Sequence, residues 1–118
     1  MPTTGFIVNQ AENVTIASLR MGSILDGPMI DSLRDDLFEL VDGRAVRKLV
    51  VDFHHVGFLS SRMLGVVVSL HKKIGEIDGT LVISGLRPNL KKVFAIMRLD
   101  KVMTFCDSEA EAVRKLKD

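Results

Sequence analysis

Phe58-Leu59-Ser60-Ser61-Arg62-Met63-Leu64-Gly65-Val66 is the stretch whose reading decides the fold: an extended apolar pair gives way to two adjacent hydroxyls and then to a helical pattern. Ser61 stands where a helix N-cap is expected. A serine there can accept from backbone N–H groups of the first turn, which have no partner inside the helix. The same N–H groups, with the positive end of the helix dipole, would stabilise an anion. A phosphate on that serine would therefore land at a helix start and on the surface, where it can redirect a partner without unfolding the chain.

Upstream, Leu49-Val50-Val51 is too short and too continuously apolar for a surface strand, so it reads as the centre of a sheet covered on both faces, with Asp52 at its end. Downstream, Leu64, Val67, Val68, His71 and Ile74 trace one helical face, broadened by Met63, Val66 and Leu70. So broad an apolar face suits a helix lying on a sheet.

Working outward, residues Gly5 to Gln10 and Asn13 to Leu19 alternate as two strands, with Val14, Ile16 and Ser18 on one face of the second and a turn over Gln10 to Asn13. Asp26-Gly27-Pro28 opens a helix whose inner face carries Met29, Ile30, Leu33, Leu37, Leu40 and Val41, ended by Asp42-Gly43. On the other side of the central helix, Asp78-Gly79 is a turn, Thr80 to Ser84 a buried strand and Gly85 its stop. Pro88 starts a helix over Asn89 to Met97 with Leu90, Val93, Phe94 and Met97. Met103 to Cys106 reads as a last short strand, and Asp107-Ser108 caps a helix through Lys117 with Ala112, Val113 and Leu116 inward. Strands alternating with helices predict an α/β architecture: a mixed, largely parallel sheet of about four to five strands with four helices.

The chain of 118 residues is the size of one domain, 1–118, with 47% hydrophobic and 26% charged residues, as in a soluble globular protein. A formal net charge of +1 and the lack of Trp and Tyr argue against a nucleic-acid partner or a membrane-surface role. No apolar run approaches the roughly 20 residues a bilayer span needs, so no direct membrane insertion is expected. Cys106 is alone and cannot pair within the chain, which fits a reducing, cytoplasmic setting, as does the absence of a signal-peptide pattern after Met1.

His54, His55 and His71 raise the question of a metal. Adjacent histidines on an extended segment point to opposite faces and Cys106 is far along the chain, so metal-ligand spacing is missing, and no metal or other cofactor is expected. Asp52 is read as holding the following loop. Nucleophile, base and orienting acid do not converge anywhere, so no catalytic residue is assigned and the chain is not read as an enzyme. Arg87, Lys91, Lys92, Arg98 and Lys101 could meet an acidic partner or a phosphate, against the alternative of solvated helix faces.

From Leu49 to Leu116 the chain resembles the STAS family, the sulfate transporter and anti-sigma factor antagonist domain. The resemblance rests on Leu49-Val50-Val51-Asp52-Phe53, Val56, Phe58-Leu59, Ser61 and Leu64-Gly65-Val66 in one ungapped register. It continues through Gly79 to Val82, Gly85-Leu86-Arg87-Pro88, Leu99-Asp100-Lys101-Val102, Asp107-Ser108 and Ala112. Leu25-Asp26 before the first helix resembles the family's leucine-aspartate there.

The resemblance implies a single STAS-like domain that binds an anti-sigma factor or serine-protein kinase and regulates transcription, with a weak homodimer also in view. In bacterial antagonists of the family the helix start reads aspartate, serine, serine or threonine, glycine, leucine, glycine, and the first serine is phosphorylated. Carried across, that serine is Ser61, with Ser60 as the alternative. Ser60, Ser61, Arg62, Met63 and Asp26 are then the partner-binding residues. Here Ser60 stands at the aspartate position, Arg62 at the second hydroxyl and Met63 at the glycine. Arg62 either pairs with a phosphoserine or is a solvated first-turn residue. The competing readings are that one serine only caps the helix and neither is modified, or that the chain is a constitutive STAS scaffold subunit of a signalling complex or lipid-transport assembly.

Overall fold

The computed structural model describes residues 6–24 and 27–117. Strands β1 (Phe6–Ala11) and β2 (Val14–Leu19) form an antiparallel hairpin. Glu12 and Asn13 turn it with positive φ, a conformation that asparagine tolerates better than most residues. From there the chain repeats one unit. Helix α1 (Gly27–Asp42) leads to β4 (Lys48–Asp52), α2 (Ser61–Glu76) to β6 (Thr80–Ser84), and α3 (Pro88–Ile96) to β7 (Thr104–Cys106). Helix α4 (Glu109–Leu116) closes the described chain. The five-stranded sheet has the order β1-β2-β4-β6-β7, with every pair after the hairpin parallel. A sheet that grows steadily in one direction by right-handed crossovers must put every crossover helix on the same face.

Side-chain alternation along β4 decides what lies on each face. Val50 sits between Ile16 and Val82 in register, and this row packs with Ala112, Val113 and Leu116 of α4. Val51 sits between Ala17 and Ile83, and this row packs with Ile30, Leu33 and Leu37 of α1, Met63 and Val67 of α2, and Phe94 of α3. The expected central strand covered on both faces is thus found, and so is the face of β2 carrying Val14, Ile16 and Ser18.

Two expectations need correction, and one feature was not foreseen. The buried stripe of α2 runs through Met63, Val67, Leu70 and Ile74, flanked by Leu64 and Val66, while Val68 and His71 are only half-buried. At 100° per residue these two sit on the flank of the apolar arc, toward solvent. Met97 lies beyond the end of α3 and is 56% exposed, because the chain leaves the helix there into a 3-10 turn (Leu99–Lys101). Two two-residue strands, β3 (Ser23–Ile24) and β5 (Phe58–Leu59), pair in parallel as a small second sheet. Segments so short carry no period for a sequence to display.

Asp52 fills the role expected of it. It is buried at the end of β4, where Oδ1 accepts from the Ser84 hydroxyl at 2.7 Å and Oδ2 from the His54 backbone N–H at 3.3 Å. It thereby fixes the loop that carries the chain toward β5 and α2.

Candidate functional site

The start of α2 is held from three sides. Gly57 and Phe58 both donate their backbone N–H groups to the Gly22 carbonyl, at 2.7 and 3.1 Å, and this sets β5 against β3. The Gly57 carbonyl accepts from the Asn89 side chain of α3 at 3.0 Å. Arg62 at the second helical position is ion-paired with Asp31 of α1, which also meets Arg34 at 3.6 Å. Three crossover helices therefore meet at one short loop.

Within this frame the two serines part company. Ser60, not Ser61, is the N-cap: it has extended φ and ψ, is half-buried, and its Oγ accepts from the Met63 N–H at 3.3 Å. The expected cap position is corrected by one residue, because two adjacent hydroxyls satisfy the capping pattern equally in sequence and only the backbone turn selects between them. Ser61 becomes the first residue of the helix, with its side chain exposed. Arg62 is exposed as well. Met63 is fully buried in the main core, which corrects its assignment as a partner contact: at this helical position the side chain points under the helix toward the sheet. Asp26 lies outside the described residues.

Sequence reasoning missed the most conspicuous surface feature beside the serines. Phe58 is 63% exposed, immediately ahead of the helix start. The strand alternation held the signal, since Phe58 and Leu59 must face opposite ways and only one can enter the core. Arg87, which precedes α3, brings its guanidinium against Gly57, about 3.5 Å from where a side chain on that glycine would begin. The loop and helix start that carry Ser61 thus also carry the exposed Phe58 ring and Arg62, with Arg87 against Gly57, and the helix has no acidic residue in its first turn. A negative charge at such a helix start meets the positive end of the helix dipole.

The other chemistry-bearing side chains serve the scaffold. A hollow of about 390 Å³ at the C-terminal ends of the parallel strands is walled in part by Asp52, His54, His55 and Glu109. Asp52 is bonded as described, and Glu109 accepts from the Ser18 hydroxyl at 2.8 Å. Among the described residues no three His, Cys, Asp or Glu side chains are grouped as metal ligands would be. Burial, with a smaller contribution from the Glu111 carboxylate, pushes the Cys106 thiol above its ordinary range and keeps it protonated. No helix among the described residues is long and apolar enough to cross a membrane.

A largely parallel sheet with its crossover helices on one face, and an exposed serine at the start of the second, define the architecture in which the family is recognised. The family model for the STAS domain matches residues 7–112, and the chain belongs to the STAS domain family. It is similar to the anti-sigma F factor antagonist of Paenibacillus polymyxa, 24% identical over 98 residues, or 83% of this chain and 84% of that protein. The anti-sigma-factor antagonist (STAS) domain protein from Planctomyces limnophilus has the same fold, with a TM-score of 0.87, 19% identity and 96% and 98% of the two chains covered. The Bacillus cell fate determinant SpoIIAA, solved in its phosphorylated form, aligns with a TM-score of 0.73, 19% identity and 93% and 97% coverage.

Proposed function

We propose that this chain is an anti-sigma factor antagonist, a non-enzymatic cytoplasmic regulator of transcription. In this reading it captures an anti-sigma factor with serine kinase activity at the start of α2, and phosphorylation of Ser61 releases it. The observation that supports the reading is the division of labour between the serines. Ser60 is committed to the helix cap, while Ser61 presents a free-standing hydroxyl on the surface. Ser60, Ser61 and Arg62 form the contact in this reading, with Phe58 as its apolar anchor and Asp26 retained from the sequence resemblance.

An unmodified Ser61 is small and neutral, so a partner can close over it. A phosphate brings about −1.5 to −2 charges at neutral pH. Burying that charge in an interface without matched donors costs several kcal/mol, enough to release the partner. The domain itself keeps its fold, because the helix dipole and Arg62, drawn away from Asp31, stabilise the anion locally.

The test is ATP-dependent phosphorylation by the cognate anti-sigma kinase, mapped by mass spectrometry, with binding measured beside it. Phosphate is expected at position 61 and absent from Ser61→Ala, which should still bind, whereas Ser61→Asp should fold and bind weakly. Label on Ser60 in the Ser61→Ala protein would move the switch by one residue. No label on either serine, with both variants binding like the parent, would favour the constitutive scaffold instead.

A further inference from the structure

Three of the five large apolar side chains most exposed among the described residues fall within one short segment: Ile96 at 79%, Met97 at 56% and Val102 at 61%. They lie where α3 ends and the 3-10 turn begins, about 10 Å along the helix from Asn89 and the Ser61 surface. The same segment carries Lys91, Lys92, Arg98 and Lys101 against the single carboxylate of Asp100. Lys92 and Ile96 are one helical turn apart, as are Lys91 and Ala95, so cation and apolar group share a face. Beside them opens a cavity of about 420 Å³ lined by Leu86, Phe94, Ala95 and Phe105, with Asp100, and Lys91 ion-paired to Asp107 at 3.3 Å, also in its wall. Phe105 belongs to β7, the edge strand of the sheet.

We propose that this surface is a second docking site, separate from the start of α2, and that its occupant is an acidic protein segment bearing an apolar anchor side chain. The cavity receives the anchor, Ile96, Met97 and Val102 cover its flanks, and Lys92 and Lys101 meet the carboxylates around it. Concavity argues for a protruding side chain over a lipid surface. A second copy of this chain fits poorly. Its acidic face is α1, where Asp35, Glu39 and Asp42 are exposed but the large apolar side chains Ile30, Leu33, Leu37, Leu40 and Val41 are turned into the core. Its exposed aromatic, Phe58, adjoins Gly57, against which the Arg87 guanidinium lies, so that cation would face cation.

The experiment titrates the isotope-labelled full chain with three synthetic peptides: a Glu/Asp-rich peptide with a central Leu-Phe, the same peptide with Ser-Ser in the centre, and a Lys-rich version keeping Leu-Phe. The acidic Leu-Phe peptide should shift amide resonances of α3, the 3-10 turn and β7. It should bind about tenfold or more tightly than either control, and lose a similar factor in Lys92→Glu/Lys101→Glu and in Ile96→Ser/Met97→Ser. These side chains are exposed, so the variants keep the fold. Absence of binding, shifts centred on Phe58 to Met63 instead, or equal binding of the Lys-rich peptide would overturn the proposal. So would cosedimentation with phosphatidylglycerol vesicles that the peptide cannot displace, or self-association of the chain abolished by the same variants.

Discussion

Helices α2 and α4 begin alike and end up chemically opposite. Each is capped by a serine whose Oγ accepts from the N–H three residues on, Ser60 from Met63 at 3.3 Å and Ser108 from Glu111 at 3.2 Å. The start of α4 then completes itself. Glu109 and Glu111 lie in its first turn, and Glu111 Oε1 accepts from the Asp107 N–H at 3.0 Å. Carboxylates there complement the helix dipole and satisfy orphan donors. The start of α2 has no acid in its first turn and carries Arg62 instead, whose charge is met by Asp31 from another helix. One helix start supplies its own anion; the other has none in its first turn. The contrast separates a terminus that carries its own complementary charge from one that carries none, which is what the proposed switch at Ser61 would need.

The contrast requires the α2 start to be rigidly founded, and the largest expected effect tests that foundation. Met63 is fully buried, so Met63→Ala should cost about 2–5 kcal/mol in denaturant unfolding. A loss below about 1 kcal/mol would mean that the cap and not the core holds this turn.

A smaller effect compares the caps directly. Ser60→Ala and Ser108→Ala should each cost roughly 0.5–2 kcal/mol by the same measurement. Ser60→Ala is expected at the upper end, because Ser60 is half-buried and water reaches the freed Met63 N–H less readily than the Glu111 N–H beside the exposed Ser108. Ser61→Ala should change stability by less than about 0.5 kcal/mol, since the side chain is exposed. Equal losses at 60 and 61 would break the division of labour between the serines.

Most of this architecture was legible because long elements repeat their signal. The sixteen-residue helix α1 shows its apolar face several times over, and the β4 run Leu49-Val50-Val51 announces a strand buried on both sides. What escaped was decided by single residues. Choosing between Ser60 and Ser61 depends on where one backbone turn falls, and Met63, already on the broadened apolar face of the pattern, is drawn to the surface only by the family resemblance. The β3–β5 pair depends on residues far apart in sequence whose bonding runs through the Gly22 carbonyl, a contact no local pattern encodes. The partner residues Asp31 and Arg62 likewise read as ordinary helix-surface charges until α1 and α2 are laid side by side.

The smallest effect is the most direct measure of the vacancy at α2. Aspartate introduced at position 61 places a carboxylate at the first residue of a helix with no other acid in its first turn, where it should stabilise the domain by about 0.3–1 kcal/mol at low ionic strength. The gain should fade as salt rises, since the site is exposed and screening acts fully on it. Aspartate at position 110, the exposed second residue of α4, enters a turn already holding Glu109 and Glu111, so like-charge repulsion should cancel the dipole's attraction and leave stability level or slightly lower. Removing Asp31 in the Ser61→Asp protein, as Asp31→Asn, frees Arg62 to turn to the new carboxylate, so the two substitutions should be coupled. The measurement is a set of urea unfolding curves for the single and double variants at low and high salt. Equal gains at 61 and 110 would show that the two helix starts are electrostatically equivalent, and the start of α2 would lose its claim to be the place where this domain accepts a charge.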